Sequence, residues 1–95
     1  MAAYAIVDLE VFDIALYLRY QKAIGPVLEA AGARYLARGG EFHVYDGDCQ
    51  PSRLILVEFP SLPCMDAFFN SDAYKSLEPQ RQACSSASIL GVEGL

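Results

Sequence analysis

Arg38, Glu58 and His43 are the side chains of this sequence best suited to the chemistry of a small-molecule site. Arg38 is followed by Gly39 and Gly40, and glycines let the backbone approach a ligand closely. A guanidinium at this point could bind a carboxylate through two parallel hydrogen bonds. The alternative is a β-bulge beside a surface arginine, and the residues leave both interpretations open.

Glu58 and His43 are the candidate groups for proton transfer. Glu58 ends the apolar run Leu54–Val57, so buried groups are expected on either side of its carboxylate, which then requires either protonation or an arginine partner. The first state suits a general acid or base, and the second is a structural ion pair. His43 is the only histidine and could shuttle protons near neutral pH, but an exposed histidine without a role is the simpler interpretation.

Tyr20, Tyr74 and Arg81 complete the candidate site. Both tyrosines lie in segments with helical spacing, where large aromatic side chains either pack in the core or present a hydroxyl group to a ligand. Arg81 is expected to reach the same edge of the fold as Arg38 and Glu58. Together, the five side chains would surround one cleft for a small anionic or oxygenated organic compound. This hypothesis requires Arg38 and Glu58 to face the same side of a sheet.

Other kinds of chemistry lack the residues that they need. No glycine-rich loop joins a strand to a helix, as phosphate binding would require, and no Ser-His-Asp set can be argued from the spacing. A single histidine and the scattered Cys49, Cys64 and Cys84 do not form a usual zinc site or a redox pair, so neither a metal nor a cofactor is expected. The odd number of cysteines predicts free thiols.

The composition predicts one globular domain over residues 1–95. Hydrophobic residues make up 54% of the chain, but no apolar run approaches the ~20 residues of a membrane span. The formal net charge of −5 provides no positive surface for nucleic acid or anionic lipid, so neither is expected as a partner. The N-terminal segment has no basic start and soon reaches Asp8 and Glu10, unlike a secretory signal, and this predicts a cytoplasmic protein.

The first half of the chain has the pattern of a strand, a helix and a strand. Tyr4–Glu10 is rich in β-forming residues, and Asp13 is a candidate N-cap before apolar residues at helical spacing. Gly25-Pro26 predicts a kink or a restart of this helix, and Gly32 predicts its end. Arg34–Arg38 is the second predicted strand.

The glycine pair after this strand predicts a change of backbone direction. Gly39 or Gly40 is expected to adopt a positive φ angle or to form a bulge. Beyond it, Glu41–Tyr45 is expected to continue in extended form, and Asp46–Asp48 to make a turn.

The second half repeats the pattern of the first. Arg53–Phe59 is a predicted strand, and Pro60-Ser61 is expected to open a helical region. Its first part is a short helix that contains Leu62, Met65, Phe68 and Phe69. A new N-cap at Asn70–Asp72 precedes a helix at Tyr74–Cys84, and Ser88–Glu93 closes the chain as a strand.

The resulting order, βαββαβ, predicts an α+β fold of the ferredoxin-like type. In this arrangement, helices pack on one face of a four-stranded antiparallel sheet. Apolar side chains of Leu54–Val57 point to both faces of the sheet, so the second face also needs a cover. A second copy of the chain is the simplest cover, and a homodimer is therefore expected.

The sequence as a whole resembles the bacterial family of domains of unknown function DUF1330, within the dimeric α+β barrel superfamily. The resemblance covers nearly the whole chain and lies in the joint order of several segments: Tyr4–Asp8, the helix with Tyr17 and Tyr20, Tyr35–Gly40, Glu58–Ser61, Ser71–Tyr74 and Arg81. It implies a dimeric α+β barrel. Relatives in the superfamily include cofactor-free monooxygenases, isomerases, haem-degrading proteins and ligand sensors, so the fold implies no single activity.

Three functions remain open. The protein could be a cofactor-independent enzyme in which Arg38 holds a small anionic substrate and Glu58 or His43 moves a proton. It could be a ligand-binding or sensing module that uses the same cleft without chemistry. It could also be a plain dimeric scaffold whose cleft is filled by packing. An open cleft with convergent polar groups would favour the first two over the third.

Overall fold

Four strands and three helices make up most of the chain, and the computed structural model describes all residues from 1 to 95. Their order is β1 (Ala3–Val11), α1 (Ile14–Ala30), β2 (Arg34–Arg38), β3 (Leu54–Phe59), α2 (Leu62–Phe69), α3 (Asp72–Cys84) and β4 (Ser85–Glu93). This confirms the predicted order of strands and helical regions, including the two helices of the second half.

The strands form one antiparallel sheet in the order β2-β3-β1-β4. This arrangement, with β1 and β3 at the centre, is ferredoxin-like and confirms the predicted α+β fold class. The helices pack on one face of the sheet, where α1 and α3 also contact each other. No element of the chain covers the opposite face, the open face of the sheet.

Short polar side chains cap the N-termini of all three helices. Asp13 Oδ1 accepts a hydrogen bond from the Leu16 backbone N–H at 3.1 Å. The hydroxyl oxygens of Ser61 and Ser71 accept equivalent bonds of 3.2 Å at the starts of α2 and α3. Gly32 follows α1 with a φ of +74°, the left-handed conformation that commonly ends a helix.

The helix α1 continues through Gly25-Pro26 without the restart that this dipeptide predicts. Proline lacks the backbone donor that would bond to the carbonyl group of Lys22. Both Pro26 and Lys22 are exposed, so water can satisfy this carbonyl group. The buried side of α1, which includes Tyr17 and Leu28, packs continuously on the sheet across the missing bond.

The chain leaves the sheet after Arg38, so the prediction of an extended segment at Glu41–Tyr45 is wrong. Gly39 has a φ of +71°, which confirms the predicted positive angle, and it turns the backbone away from β3. Residues 40–53 form a loop without strand pairing, and Gly47 bends it with a φ of +88°. Alternation of apolar and polar residues does not make a strand where no neighbour pairs with it.

A one-residue bulge at Leu36 determines on which face of the sheet Arg38, the last residue of β2, lies. Tyr35 and Ala37 pair with adjacent residues of β3, which leaves Leu36 between them as the extra residue. Because of this shift, Arg38 lies opposite Ile55 and shares the helix-covered face with it. A regular strand would have placed Arg38 on the open face.

The core lies between the sheet and the helices. It is built from these buried residues: Ala3, Ala5, Leu9, Tyr17, Tyr20, Ile24, Leu28, Ile55, Val57, Phe59, Met65, Phe68, Tyr74 and Cys84. The ring centroid of Phe68 is 5.2 Å from that of Phe59 and 5.1 Å from that of Tyr74, in the tilted geometry that aromatic pairs favour. These contacts fix α2 and α3 against β3.

An apolar row crosses the open face from one edge of the sheet to the other. Its members are direct cross-strand neighbours: Ala37, Leu56, Ile6 and Leu90. Leu90 is 59% exposed, and Val92 beside it on the same strand face is 51% exposed. The single chain therefore leaves a continuous apolar strip in contact with water.

We expect Gly39→Val to lower the free energy of unfolding by about 1–3 kcal/mol. Valine is strained at a φ of +71°, and a Cβ atom there would lie 2.5 Å from Cζ of Arg53. Gly40→Val is the matched control, because its φ is not positive and no atom lies within 4 Å of the added Cβ. Urea denaturation measures both variants, and equal losses would contradict the argument.

All three cysteines are free thiols. Cys49 and Cys64 are exposed and Cys84 is buried, and none of the three is in a disulfide. None of the helices has the length and apolar character required to span a bilayer.

Candidate functional site

A cavity of about 70 Å³ lies on the helix-covered side of the sheet, between α1, α3 and the central strands. Of its 17 lining residues, 15 are hydrophobic, and the others are Gln21 and Arg81. The hydrophobic wall consists of Ala5, Val7, Leu9, Tyr17, Tyr20, Ile24, Leu28, Tyr35, Ile55, Val57, Phe59, Phe68, Phe69, Tyr74 and Ile89. The predicted site residues Tyr20, Tyr74 and Arg81 therefore do meet at one cavity.

Burial keeps the tyrosine hydroxyl groups of this wall in their neutral form. It raises the pKa of Tyr20 far above the ordinary value of 10.0, against the opposing charge of Arg81. Burial also raises the pKa of Tyr17 and Tyr74, although the positive charges of Arg53 and Arg81 oppose the shift. At neutral pH, these hydroxyl groups can donate hydrogen bonds to a ligand but do not act as bases.

The protein should lose stability as the pH rises above about 10. In the unfolded chain, Tyr20 ionises near 10.0, but the folded state keeps its proton because its pKa is raised. The stabilisation is therefore complete below the unfolded pKa and is lost as the pH rises toward the folded pKa. Urea denaturation at about pH 9 and pH 11 should show a smaller fall for Tyr20→Phe than for the wild type.

Tyr45→Phe is the control for this experiment, because Tyr45 is 93% exposed and the substitution should leave the pH dependence unchanged. An identical fall in stability for Tyr20→Phe and the wild type would mean that Tyr20 ionises freely in the folded protein.

Arg38 lies beside the cavity, next to one of its polar lining residues. Its guanidinium carbon is 4.6 Å from the ring centroid of Tyr35. With the Gln21 amide oriented to satisfy both of its polar atoms, Arg38 Nε and Nη1 donate to the Gln21 oxygen at 3.1 and 3.2 Å. The Arg38 guanidinium is thus held at the β2 edge of the cavity by a ring and an amide.

Arg53 and Arg81 are two further cations near the cavity. The guanidinium carbon of Arg53 is 5.6 Å from the ring centroid of Tyr17. Arg81 lines the cavity itself, together with Tyr20 and Tyr74. The Nε atoms of Arg53 and Arg81 are both buried without a hydrogen-bond partner.

The one charged side chain that lines the cavity is a cation, although the protein is acidic. The chain has 12 acidic and 7 basic residues, yet no Asp or Glu side chain lines the cavity. Arg81 in the wall, with Arg38 and Arg53 beside it, places positive charge close to the cavity. This favours a ligand that carries a negative charge or an electron-rich oxygen.

Glu58 does not lie at this cavity, so the expectation that Arg38 and Glu58 face the same side is wrong. Glu58 Oε1 accepts a hydrogen bond from Arg34 Nε at 2.7 Å on the open face. Strand alternation places Glu58 on the face of Leu56, and the bulge in β2 moves Arg38 to the other face. Of the two alternatives considered for Glu58, the structural ion pair is confirmed.

His43 lies in the loop after β2 and is not among the residues that line the cavity. Its side chain is 66% exposed, and its Nε2 atom is 3.6 Å from a carboxylate oxygen of Glu41. Its ring also stacks on Tyr45, with centroids 6.3 Å apart. His43 is therefore an exposed histidine away from the cavity, as the simpler of the two interpretations expects.

The structure adds Tyr17, Gln21 and Arg53 to the surroundings of the cavity. The signal for Tyr17 and Gln21 is helical spacing, since Tyr17 lies three residues before Tyr20 on the same buried side of α1. No local pattern marks Arg53, whose role depends on the turn at Gly39. Nowhere do three or more His, Cys, Asp or Glu side chains come together in a way that could hold a metal ion.

Solved structures with the same fold are similar over nearly the whole chain. A protein of unknown function from Rhodopseudomonas palustris has a TM-score of 0.78 and 17% identity, over 99% of this chain and 82% of that one. A dimeric ferredoxin-like protein of unknown function from Bacteroides fragilis has a TM-score of 0.63 and 12% identity, over 98% and 96%.

A third similar structure, from Caulobacter crescentus, is provisionally named an antibiotic biosynthesis monooxygenase. Its TM-score is 0.62 and its identity 12%, over 99% of this chain and 90% of that one. No functionally curated protein matches the sequence. At these identities, the structures establish the fold alone.

The family assignment comes from the sequence itself. The model of the family described as "Domain of unknown function (DUF1330)" matches residues 2–95, which is nearly the full length. The ferredoxin-like fold and the similar solved structures agree with this match. The chain therefore belongs to the DUF1330 family.

Proposed function

We propose that this protein binds a small organic anion in the cavity between its sheet and its helices. The observation that carries the proposal is the contrast between an apolar wall and the arginine side chains that lie in it and beside it. Small-molecule sites typically combine such a wall with a few polar groups that orient the ligand. Arg81 and the hydroxyl groups of Tyr20 and Tyr74 are the polar groups assigned to the ligand, and Arg38 closes the β2 edge.

Binding is favoured over acid-base catalysis by the ionisable groups around the cavity. Its tyrosines keep their protons, Glu58 is paired on the other face, and His43 is in an exposed loop. No side chain at the cavity is therefore suited to remove a proton from a ligand.

An enzymatic role remains the second candidate, since a similar structure is provisionally named a monooxygenase. In that case, the contribution of this chain is restricted to hydrogen bonds and positive charge that stabilise an oxyanion as it develops.

We further propose that the binding protein is a homodimer that covers the apolar strip of the open face. Leu56, Ile6 and Leu90 form this strip, and an exposed apolar strip on a sheet is typical of an interaction surface. The similar protein from Bacteroides fragilis is dimeric. The Arg34–Glu58 ion pair lies on the same face and would contribute a polar margin to the contact.

Filling the cavity tests the binding proposal. Ala5 is 1% exposed and lines the cavity, so Ala5→Leu would occupy much of its volume. We expect at least a tenfold loss of affinity for each compound that binds the wild type in a panel of small organic acids, measured by calorimetry. Native mass spectrometry of freshly purified protein adds any co-purified compound to this panel.

The matched control is Ala67→Leu, which makes the same change at an exposed position of α2. It should leave the affinities unchanged. Equal binding to the Ala5→Leu variant would place the ligand outside the cavity and overturn the proposal. A panel without any binder, together with no co-purified compound, would support the dimeric scaffold instead.

A further inference from the structure

A second and larger space lies directly outside the cavity wall. This groove, of about 420 Å³, runs between α2, α3 and β4. Four residues line both the groove and the inner cavity: Phe69, Tyr74, Arg81 and Ile89. One layer of side chains therefore separates the cavity from the groove, and Arg81 is the only charged residue of that layer.

Arg81 is the one cation that both lines the cavity and has a buried Nε without a hydrogen-bond partner. Arg38 already donates to the Gln21 oxygen and packs on a ring. Arg53 packs against Gly39 and lines neither space. Arg81 lines both spaces, and its Nε has no acceptor within the chain. A ligand oxygen at this wall would provide the missing acceptor.

The size of the inner cavity restricts the apolar part of the ligand. Its volume of about 70 Å³ is roughly half of the ~150 Å³ apolar cavity that accommodates benzene in another protein. This volume matches a chain of roughly three to five carbon atoms better than an aromatic ring. Ala5, Val7 and Val57 on the floor of the cavity offer no hydrogen-bonding side chain, so the end of the ligand that lies on this floor is a hydrocarbon.

The groove side of the wall restricts the charge of the ligand. Besides Arg81, the groove is lined by the carboxylates of Asp66 and Glu78. One negative group can pair with Arg81, but a second one that extends into the groove would meet like charges. The wall is thus suited to a monoanion.

We propose that the ligand is a short-chain aliphatic monocarboxylate, with its chain in the inner cavity and its carboxylate at Arg81. This inference rests on the proposed function of the cavity and specifies the chemical class of its ligand. Arg81 is the residue that selects the charge, and the apolar floor with Val7 and Val57 selects the chain length. Asp66 and Glu78 select against dicarboxylates.

Calorimetry with a series of straight-chain acids, from propanoate to octanoate, tests the chain length. Affinity should rise to an optimum between butanoate and hexanoate and fall for octanoate, because a longer chain exceeds the cavity. 1-Pentanol and the dicarboxylate adipate should each bind at least tenfold more weakly than pentanoate. An affinity that keeps rising to octanoate, or adipate binding as tightly as pentanoate, would overturn the inference.

Substitution of Arg81 tests the head group. Arg81→Gln should weaken pentanoate binding at least tenfold, and Arg81→Lys should recover part of the loss. Lys75→Gln removes the same charge from an exposed position of the same helix and should change the affinity less than twofold. The bonds that Ser85 and Cys84 make to Arg81 involve its backbone oxygen, so the variants keep them. Unchanged pentanoate binding by Arg81→Gln would contradict the assignment.

Nuclear Overhauser contacts determine the orientation of the bound acid. The terminal methyl group of pentanoate should contact the methyl groups of Val57, which lines only the inner cavity. Contacts to Met65, which lines only the groove, would place the chain outside and overturn the inference. If another compound binds in a manner sensitive to Ala5→Leu while pentanoate does not bind, this inference fails and the proposed function stands.

Discussion

Val57→Asp should leave the chain unfolded under conditions in which the wild type is stable. Val57 is 5% exposed and lies on the helix-covered face between Tyr35 and Ala5 of the neighbouring strands. No basic residue pairs with it across the sheet, so the new carboxylate would be buried without a partner. An uncompensated buried charge typically removes 3–5 kcal/mol, which is comparable to the whole stability of a small domain.

Near-ultraviolet circular dichroism and urea denaturation measure this effect. Leu56→Asp is the matched control for folding, because it places the same charge one residue earlier in β3, on the open face. It should keep the secondary structure and a cooperative unfolding transition. A folded Val57→Asp variant with the stability of the wild type would mean that β3 does not bury this face.

The elements that the sequence predicts well are those that depend on neighbouring residues. The alternating burial along β3 depends only on residues next to one another in the chain. The helix N-caps depend on contacts three residues apart, and the structure contains the caps at Asp13, Ser61 and Ser71. Alternation also places Leu56 and Glu58 on one face and Val57 on the other. The sequence therefore already contained the reason that Glu58 is outside the cavity.

The position of Arg38 depends instead on contacts between distant segments. A bulge at Leu36 reverses the side of every later residue in β2, and no local signal in this segment marks it. The loop after Gly39 is a second example, because Glu41–Tyr45 alternates like a strand but has no partner. Pairing between strands is a property of the whole sheet, and a single sequence does not reveal it.

In the candidate site, too, the features that depend on local geometry differ from those that depend on pairing between strands. Helical spacing placed Tyr20 and Tyr74 on helices, and both line the cavity together with Arg81 of α3. The pairing of Glu58 with Arg34 required the register between β2 and β3. The predicted residues that meet at the cavity therefore lie on helices. The predicted residue that lies away from it, Glu58, is placed by the register between strands.

Leu56→Asp should convert the proposed homodimer into folded monomers. Leu56 lies at the centre of the apolar strip, between Ala37 and Ile6. In the single chain it is only half-buried, so a carboxylate there can stay in contact with water. In a dimer that covers the strip, two-fold symmetry would bury two such charges near one another. We expect the dissociation constant to rise at least about a hundredfold.

Sedimentation velocity over a range of micromolar concentrations measures this change, with circular dichroism to establish that the monomer is folded. Ala67→Asp is the control, since it adds the same charge at an exposed position of α2 on the other side of the molecule. It should leave the dimer intact. A wild-type protein that is monomeric at these concentrations would overturn the proposed homodimer. A Leu56→Asp dimer of undiminished affinity would show that the copies associate through another surface, and the apolar strip would then need a different partner to explain its exposure.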